Sequence, residues 1–221
     1  MILYLVRHGE SAGNATGRIQ GWRDVPLTPA GEQQAAKTGA FLAAYARSEG
    51  VAFAALYSSD LHRAWDTAQA IGRALDLVPV AEPGLREMHF GVVEGLGYQE
   101  WQAAYPHLVA PAADRTNAAF GWPGGETRAA FYARVRATIH RLAGAHGPAA
   151  HLLLVAHGGV IGSYLSLLAH GDGAYWGEFR IENCSISRVA LSPTDEHPLG
   201  AAGILQAADA RHLAADPELT G

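Results

Sequence analysis

Short apolar runs separated by polar, glycine-rich connections alternate in this chain with stretches whose apolar positions recur every three or four residues. Ile2 to Val6 is continuously apolar and reads as a buried strand. Residues 9–28 follow as a long loop marked by Gly9, Gly13, Asn14, Gly17, Gly21 and Pro26, and a loop of that length inside a compact domain is usually functional. Thr28-Pro29 reads as an N-cap with proline at the first helical position. Ala35, Ala36, Gly39, Leu42, Ala43 and Ala46 then form one face of the helix. Phe53 to Tyr57 is a second strand, and Ser59 or Asp60 caps a helix with Leu61, Ala64, Trp65, Ala68, Ile71 and Leu75 on one side. Val78 to Val80 reads as a short strand, and residues 82–95 read as a loop. Residues 95–122 follow neither period and are the expected lid. Thr127 caps a helix carrying Phe131, Val135, Thr138, Ile139 and Leu142, which Gly144, Gly147 and Pro148 stop. A strand from about 151 to 156 precedes a helix over roughly 160–169. Ser185 to Leu191 alternates as a further strand, with Gly203 to Ala207 pairing beside it as an edge. The polar tail from Asp209 onward is expected to fray.

The composition narrows the class. The chain has 221 residues, 49% hydrophobic and 17% charged, which suits one domain with one sizeable core. Its formal charge is −5, Lys37 is the only lysine and no Lys/Arg-rich run occurs, so a nucleic-acid partner is not expected. A single cysteine, Cys184, excludes an internal disulfide framework and a cysteine-based zinc site, and reads as a small core residue. No apolar stretch is long enough to span a bilayer, and the chain opens on a strand without a basic leader; a cytoplasmic location without membrane partners is expected.

The chemistry concentrates at strand ends. The first strand ends in Arg7-His8-Gly9: a permanently charged fork suited to phosphate, a side chain that is nucleophilic when neutral, and a residue that lets the backbone turn and a ligand approach. By itself the pair is equally a surface accident. Leu154-Val-Ala-His157-Gly158 repeats the plan of Leu5-Val-Arg-His8-Gly9. Two parallel strands ending alike bring His8 and His157 to one rim, where ligands of such sheets bind. Arg63 in the first turn of its helix is electrostatically awkward unless an anion binds there. Glu87 is a candidate acid, because a carboxyl group beside a bound phosphate holds its proton and can give it to a leaving oxygen; a structural ion pair with Arg86 or another arginine is at least as good a reading. Asn14 either aims its amide at the ligand or makes a local turn bond. His62 and His89, 107, 140, 146, 151, 170, 197 and 212 read as surface or lid residues.

Leu5-Val-Arg7-His8-Gly9-Glu10, Asn14, Gly21-Trp22, Pro26-Leu27-Thr28, Ser58-Ser59-Asp60-Leu61-His62-Arg63-Ala64, Leu85-Arg86-Glu87, Phe90-Gly91, Glu94-Gly95 and Val155-Ala156-His157-Gly158-Gly159 together resemble the histidine phosphatase superfamily, in its phosphoglycerate-mutase-like branch. The resemblance runs from residue 2 to about 190. It implies a three-layer α/β/α sandwich with a mostly parallel central sheet, one domain over residues 1–221 and the lid as an insertion. It also implies roles: His8 as the nucleophile that becomes phosphohistidine, Arg7, Arg63 and His157 around the phosphoryl oxygens, and Glu87 as general acid and base. Asn14, Gln20, Gly21 and Gly158 would line the phosphate site. No metal or other cofactor is implied. One imidazole should be neutral and the other charged, their environments pushing the two pKa values apart. Many relatives carry tryptophan where Val93 stands, which should alter packing and not chemistry. A cation-poor, aromatic lid favours a phosphomonoesterase acting on small phosphorylated substrates over a phosphoglycerate mutase, whose lid resembles a basic clamp. A non-catalytic phospho-ligand binding protein is the alternative from another class, disfavoured because nucleophile and acid are both present. The sequence leaves monomer or homodimer open.

Overall fold

The computed structural model describes residues 1–192 and 201–214. His197 and the tail beyond residue 214 lie outside the described residues. The elements run β1 (Ile2–Arg7), α1 (Ala12–Ala15), α2 (Pro29–Glu49), β2 (Phe53–Ser58), α3 (His62–Leu75), β3 (Val80–Ala81), α4 (Tyr98–Ala104), α5 (Val109–Ala113), α6 (Arg128–Gly144), β4 (His151–Ala156), α7 (Gly158–His170), β5 (Ile186–Ser192), β6 (Ala201–Asp209) and α8 (Arg211–Ala214). The strands form one sheet in the order β3-β2-β4-β1-β5-β6. β3, β2, β4 and β1 are parallel neighbours, while β5 runs antiparallel to β1 and to β6.

Successive side chains of a strand point to opposite faces, so the apolar runs of β1 and β4 bury both sides of the sheet. Leu3, Leu5, Leu152 and Leu154 pack with Phe131, Val135 and Ile139 of α6 and Ile161, Tyr164 and Leu165 of α7. Tyr4, Val6, Leu153 and Val155 pack on the other face with Leu42 of α2 and Ala64, Ala68 and Ile71 of α3. The architecture is therefore the expected α/β sandwich with helices on both faces of a mixed, mostly parallel sheet. Each large side chain so buried contributes on the order of 1.5–3 kcal/mol.

Several helix ends match the sequence reading. Thr28 Oγ1 accepts from Gly31 N (3.1 Å) with Pro29 following, and Thr127 Oγ1 accepts from Ala130 N (3.2 Å). The cap of α3 differs. Neither Ser59 nor Asp60 occupies the N-cap, which is Leu61. Asp60 is bound instead by Arg86, at 2.7 and 2.5 Å, and the first-turn N–H of His62 is satisfied by Asp24 from the 17–28 loop, at 2.8 Å. A carboxylate from a distant loop thus complements the positive helix end. The Arg86–Asp60 pair also removes the alternative of an ion pair between Arg86 and Glu87, since the Arg86 fork is already engaged.

Other expectations are corrected. The 9–28 loop contains the single turn α1, capped by Ser11, and residues 95–122 contain α4, α5 and a 3-10 turn at Pro106–Leu108. The short strand lies at Val80–Ala81, leaving Val78 exposed. The tail does not fray at Asp209. Residues 211–214 form α8, where His212 stacks on Phe41 (4.8 Å) and its Nε2 meets Thr38 Oγ1 at 3.0 Å. Five other histidines have specific partners: His62 with the Asp24 carboxylate (2.6 Å), His170 with the Glu178 carboxylate (2.9 Å), His146 with the Tyr57 hydroxyl (2.9 Å), His151 with the Tyr4 hydroxyl (3.2 Å) and His89 stacked on Trp22 (4.8 Å). Cys184 is buried, which pushes its thiol up to about 12.

Candidate active site

The ends of β1, β2 and β4 are stitched together by backbone bonds just past the sheet: His8 N to Ala156 O (3.0 Å) and Ser59 N to Val155 O (3.0 Å). This places His8 and His157 side by side, their ring centroids 5.1 Å apart. His8 Nδ1 lies 2.7 Å from the Gly9 carbonyl oxygen. A carbonyl only accepts, so this nitrogen carries the proton and Nε2 presents its lone pair to the cavity. Asn183 Nδ2 donates to the His8 carbonyl (2.9 Å), and Gly9 N donates to Thr67 Oγ1 (3.0 Å), fixing the backbone on either side. Gly9 is needed for a different reason than expected. A Cβ there would strike the backbone carbonyl of Gly31, so its role is the close approach of α2, not of a ligand.

Arg7 and Arg63 close the cradle. Arg7 Nη1 donates to Ile181 O (2.6 Å), and Arg63 donates to Gly21 O (2.7 Å) and Arg23 O (3.1 Å). Among the described residues, the buried Nε of each arginine has no hydrogen-bond partner, nor has Nδ1 of His157. Buried donors without partners are rare in folded proteins. Two unspent guanidinium N–H groups and an unspent imidazole nitrogen on residues beside His8 suit an anion. The N-terminus of α7, beginning at Gly158, adds its partial positive charge.

Glu87 reaches the same place from the 82–95 loop. Its carboxylate accepts from Met88 N (2.9 Å) and from Gly159 N (3.0 Å) in the first turn of α7. A Cβ on Gly159 would displace this carboxylate, so glycine there lets Glu87 keep its place against α7. The loop itself is braced from two directions. Trp22 Nε1 donates to the Glu87 carbonyl (2.8 Å), and its ring packs with His89 and Arg86. Arg134, bidentate on Glu126, donates to the carbonyls of Gly84, Arg86 and Glu87.

Burial pushes both imidazoles well below their usual range, and the nearby Arg63 and Arg7 charges push the same way. The expected split between a neutral and a charged ring finds no support in these surroundings, since the same causes press both rings toward the neutral form. The two guanidinium pKa values are also lowered by burial, with Glu87 opposing. The positive charge of the cradle resides on arginine.

The expected phosphate-site residues Asn14, Gln20, Gly21 and Gly158 all line the cavity, whose volume is about 790 Å³. Asn14 also makes the local turn bond, since its Oδ1 accepts from Ser11 N (3.1 Å) and Ser11 Oγ (2.8 Å). His157 lies beneath the surface of the cavity, fully buried. The far wall is largely aromatic, with Phe90, Trp101, Trp122, Tyr132, Trp176 and Phe179, and Glu87 is the only acidic side chain lining the cavity among the described residues. Trp176, Phe179 and Ile181 come from a segment to which the sequence reading assigns no role; the aromatic residues in it were the available signal. Arg128, 8% exposed, also lies on this wall, and its fork is committed to the carbonyls of Ala112, Asp114 and Asn117. No cluster of three metal-ligating side chains occurs among the described residues.

An imidazole with a free lone pair, two guanidinium groups and a carboxyl converge at the C-terminal edge of the parallel strands, an arrangement chemically suited to holding a phosphoryl group. The model of the histidine phosphatase superfamily (branch 1) matches residues 3–212, and the chain belongs to that superfamily. It is 35% identical over 221 residues to the probable phosphoglycerate mutase GpmB of Yersinia enterocolitica, covering 96% of this chain and 94% of that one. Among solved structures it is similar to mycobacterial glucosyl-3-phosphoglycerate phosphatase in complex with VO3 (TM-score 0.78, 28% identity, 94% of this chain and 98% of that chain). It is also similar to a putative alpha-ribazole-5'-P phosphatase from Escherichia coli (TM-score 0.79, 25% identity, 95% and 96%).

Proposed function

We propose that this protein is a phosphoric monoester hydrolase that works through a phosphohistidine on His8. The Nε2 lone pair attacks phosphorus while the bond to the leaving oxygen breaks, and the Glu87 carboxyl gives its proton to that oxygen. The phosphorylated ring keeps its Nδ1 proton on the Gly9 carbonyl, which offsets the charge that the ring gains. Water then attacks phosphorus, Glu87 takes the water's proton, and the P–N bond breaks to release phosphate and neutral His8. Arg7, Arg63, His157 and the α7 N-terminus hold the phosphoryl oxygens throughout, and such preorganised charge is the main lever in phosphoryl transfer.

The observation that carries hydrolysis rather than mutase action is the wall facing the leaving group. It is largely aromatic, and its two cations are engaged by the wall itself, the Arg128 fork on lid carbonyls and Arg115 over the Trp176 ring (5.6 Å). A phosphoglycerate carries several negative charges on a small frame and gains little from such a wall. The mutase reading is kept because the curated relatives bear that name. Parallel assays with a chromogenic phosphate ester and with 3-phosphoglycerate plus bisphosphoglycerate separate the two, and fast mutase turnover with negligible hydrolysis overturns the proposal. His8→Ala should abolish turnover and retain phosphate binding by calorimetry; unchanged turnover removes the covalent mechanism.

A further inference from the structure

His157 Nε2 lies 2.8 Å from the hydroxyl of Ser59, and both residues are fully buried. Ser59 Oγ has one other partner among the described residues, the N–H of Leu61, which donates to it at 3.3 Å. A hydroxyl has one proton to give, and an amide N–H cannot accept it. Among the described residues the imidazole nitrogen is the only acceptor left. Ser59 therefore donates to Nε2, and the proton of a neutral His157 must sit on Nδ1, the nitrogen with no partner.

We infer that Ser59 is a positioning residue that locks His157 as a neutral Nδ1–H donor toward the phosphoryl group, in place of the imidazolium that a phosphate cradle would be expected to use. The inference rests on the phosphoryl-transfer reading of this site. Both active-site imidazoles then carry their proton on Nδ1 but are turned opposite ways. His8 anchors its N–H on Gly9 and offers a lone pair. His157 anchors its lone pair on Ser59 and offers an N–H. Protonating His157 would put a second N–H against a hydroxyl whose own proton has no other acceptor. The charged groups facing the ring, Arg7, Arg63 and Arg134, oppose protonation as well, and Glu87 is the acidic side chain in the same cradle. The consequence is a division of labour: one ring makes the bond to phosphorus, and the other supplies a hydrogen bond without adding to the charge that holds the product.

The test uses the whole protein with ¹⁵N-labelled histidine and inorganic phosphate as the probe, the two rings being assigned from His8→Ala and His157→Ala spectra. Near neutral pH the His157 signals should be those of a bare Nε2 and a protonated Nδ1, with and without phosphate. Two protonated nitrogens, or the proton on Nε2, overturn the inference. Phosphate that leaves both rings unperturbed instead overturns the phosphoryl-transfer reading, so the two failures are distinguishable. Ser59→Ala should lower kcat/KM about tenfold, the worth of one oriented hydrogen bond. Its activity relative to the parent should recover as pH falls, because a proton from solvent then does what the hydroxyl did. Ser59→Thr, which keeps the hydroxyl, should restore both the rate and the profile. A Ser59→Ala enzyme with the parental rate, pH profile and His157 spectrum refutes the role.

Discussion

Arg134 touches no substrate, yet it should control catalysis through the carbonyls it holds. Its fork donates to Glu126 at 2.8 and 2.7 Å and to three carbonyls, of Gly84, Arg86 and Glu87, at 2.9 to 3.2 Å. The pair is mostly screened from water, with side chains 21% and 18% exposed. Arg134→Met leaves Glu126 without its counter-charge, although the carboxylate still accepts from His89 N (2.9 Å). Breaking a buried pair costs about 3–5 kcal/mol, and the residual His89 bond places this site near the lower end, about 3 kcal/mol. For a chain of this size that lowers Tm by about 6–12 °C. The catalytic effect is separate. A displacement of the Glu87 carboxyl by about 1 Å costs on the order of 100-fold in rate. Arg134→Lys discriminates between charge and geometry: it keeps the cation near Glu126 but cannot span three carbonyls. Thermal unfolding should show the lysine variant partly rescued, while its kcat falls nearly as far as that of the methionine variant. A lysine variant with parental kcat would refute the claim that the fork positions Glu87.

The other consequences are more direct. Glu87→Gln should reduce kcat by about 100- to 10,000-fold for alkyl phosphates and far less for nitrophenyl phosphate, whose leaving group needs no proton; equal losses for both would remove Glu87 as the acid. Folding stability should fall as pH drops through about 6.5: the buried His8 and His157 have folded-state pKa values below that of the unfolded chain, so the unfolded state takes up more protons in this window. A urea midpoint that stays constant between about pH 7.5 and 5.5 contradicts this sign. Arg128→Met, which frees the carbonyls of Ala112, Asp114 and Asn117, should raise KM for a bulky aryl phosphate about tenfold and change kcat for a small ester little. An equal effect on both substrates would show that the lid does not act on the leaving group.

The cradle was legible because its parts are local. A strand, a histidine and a glycine written twice in one chain specify both the chemistry and the sheet edge where it occurs, and Arg63 betrayed itself by standing at the wrong end of a helix dipole. What escaped the sequence depends on partners far away in the chain. Asp24 rather than Asp60 completes α3, because Arg86 claims Asp60 across the fold. Ser59 looks like a cap and turns out to face an imidazole from another strand. The docking of α8 depends on Thr38 and Phe41, which nothing near residue 212 announces. What pushes the His157 pKa down eludes the sequence for the same reason: it is burial together with approaching guanidinium groups, and neither is local.

The site therefore divides by rigidity as well as by chemistry. The cradle side chains sit on strand ends, on the first turns of α3 and α7 and on the 82–95 loop, and backbone bonds tie the strand ends into one frame. Much of the aromatic wall comes from short helices and turns held to that frame by side chains, Arg128 among them. Loops and short helices accept substitution more readily than a buried sheet. Substrate preference can then change through the aromatic wall while the cradle stays fixed. This fits a fold that is shared with solved structures described as phosphatases of quite different esters.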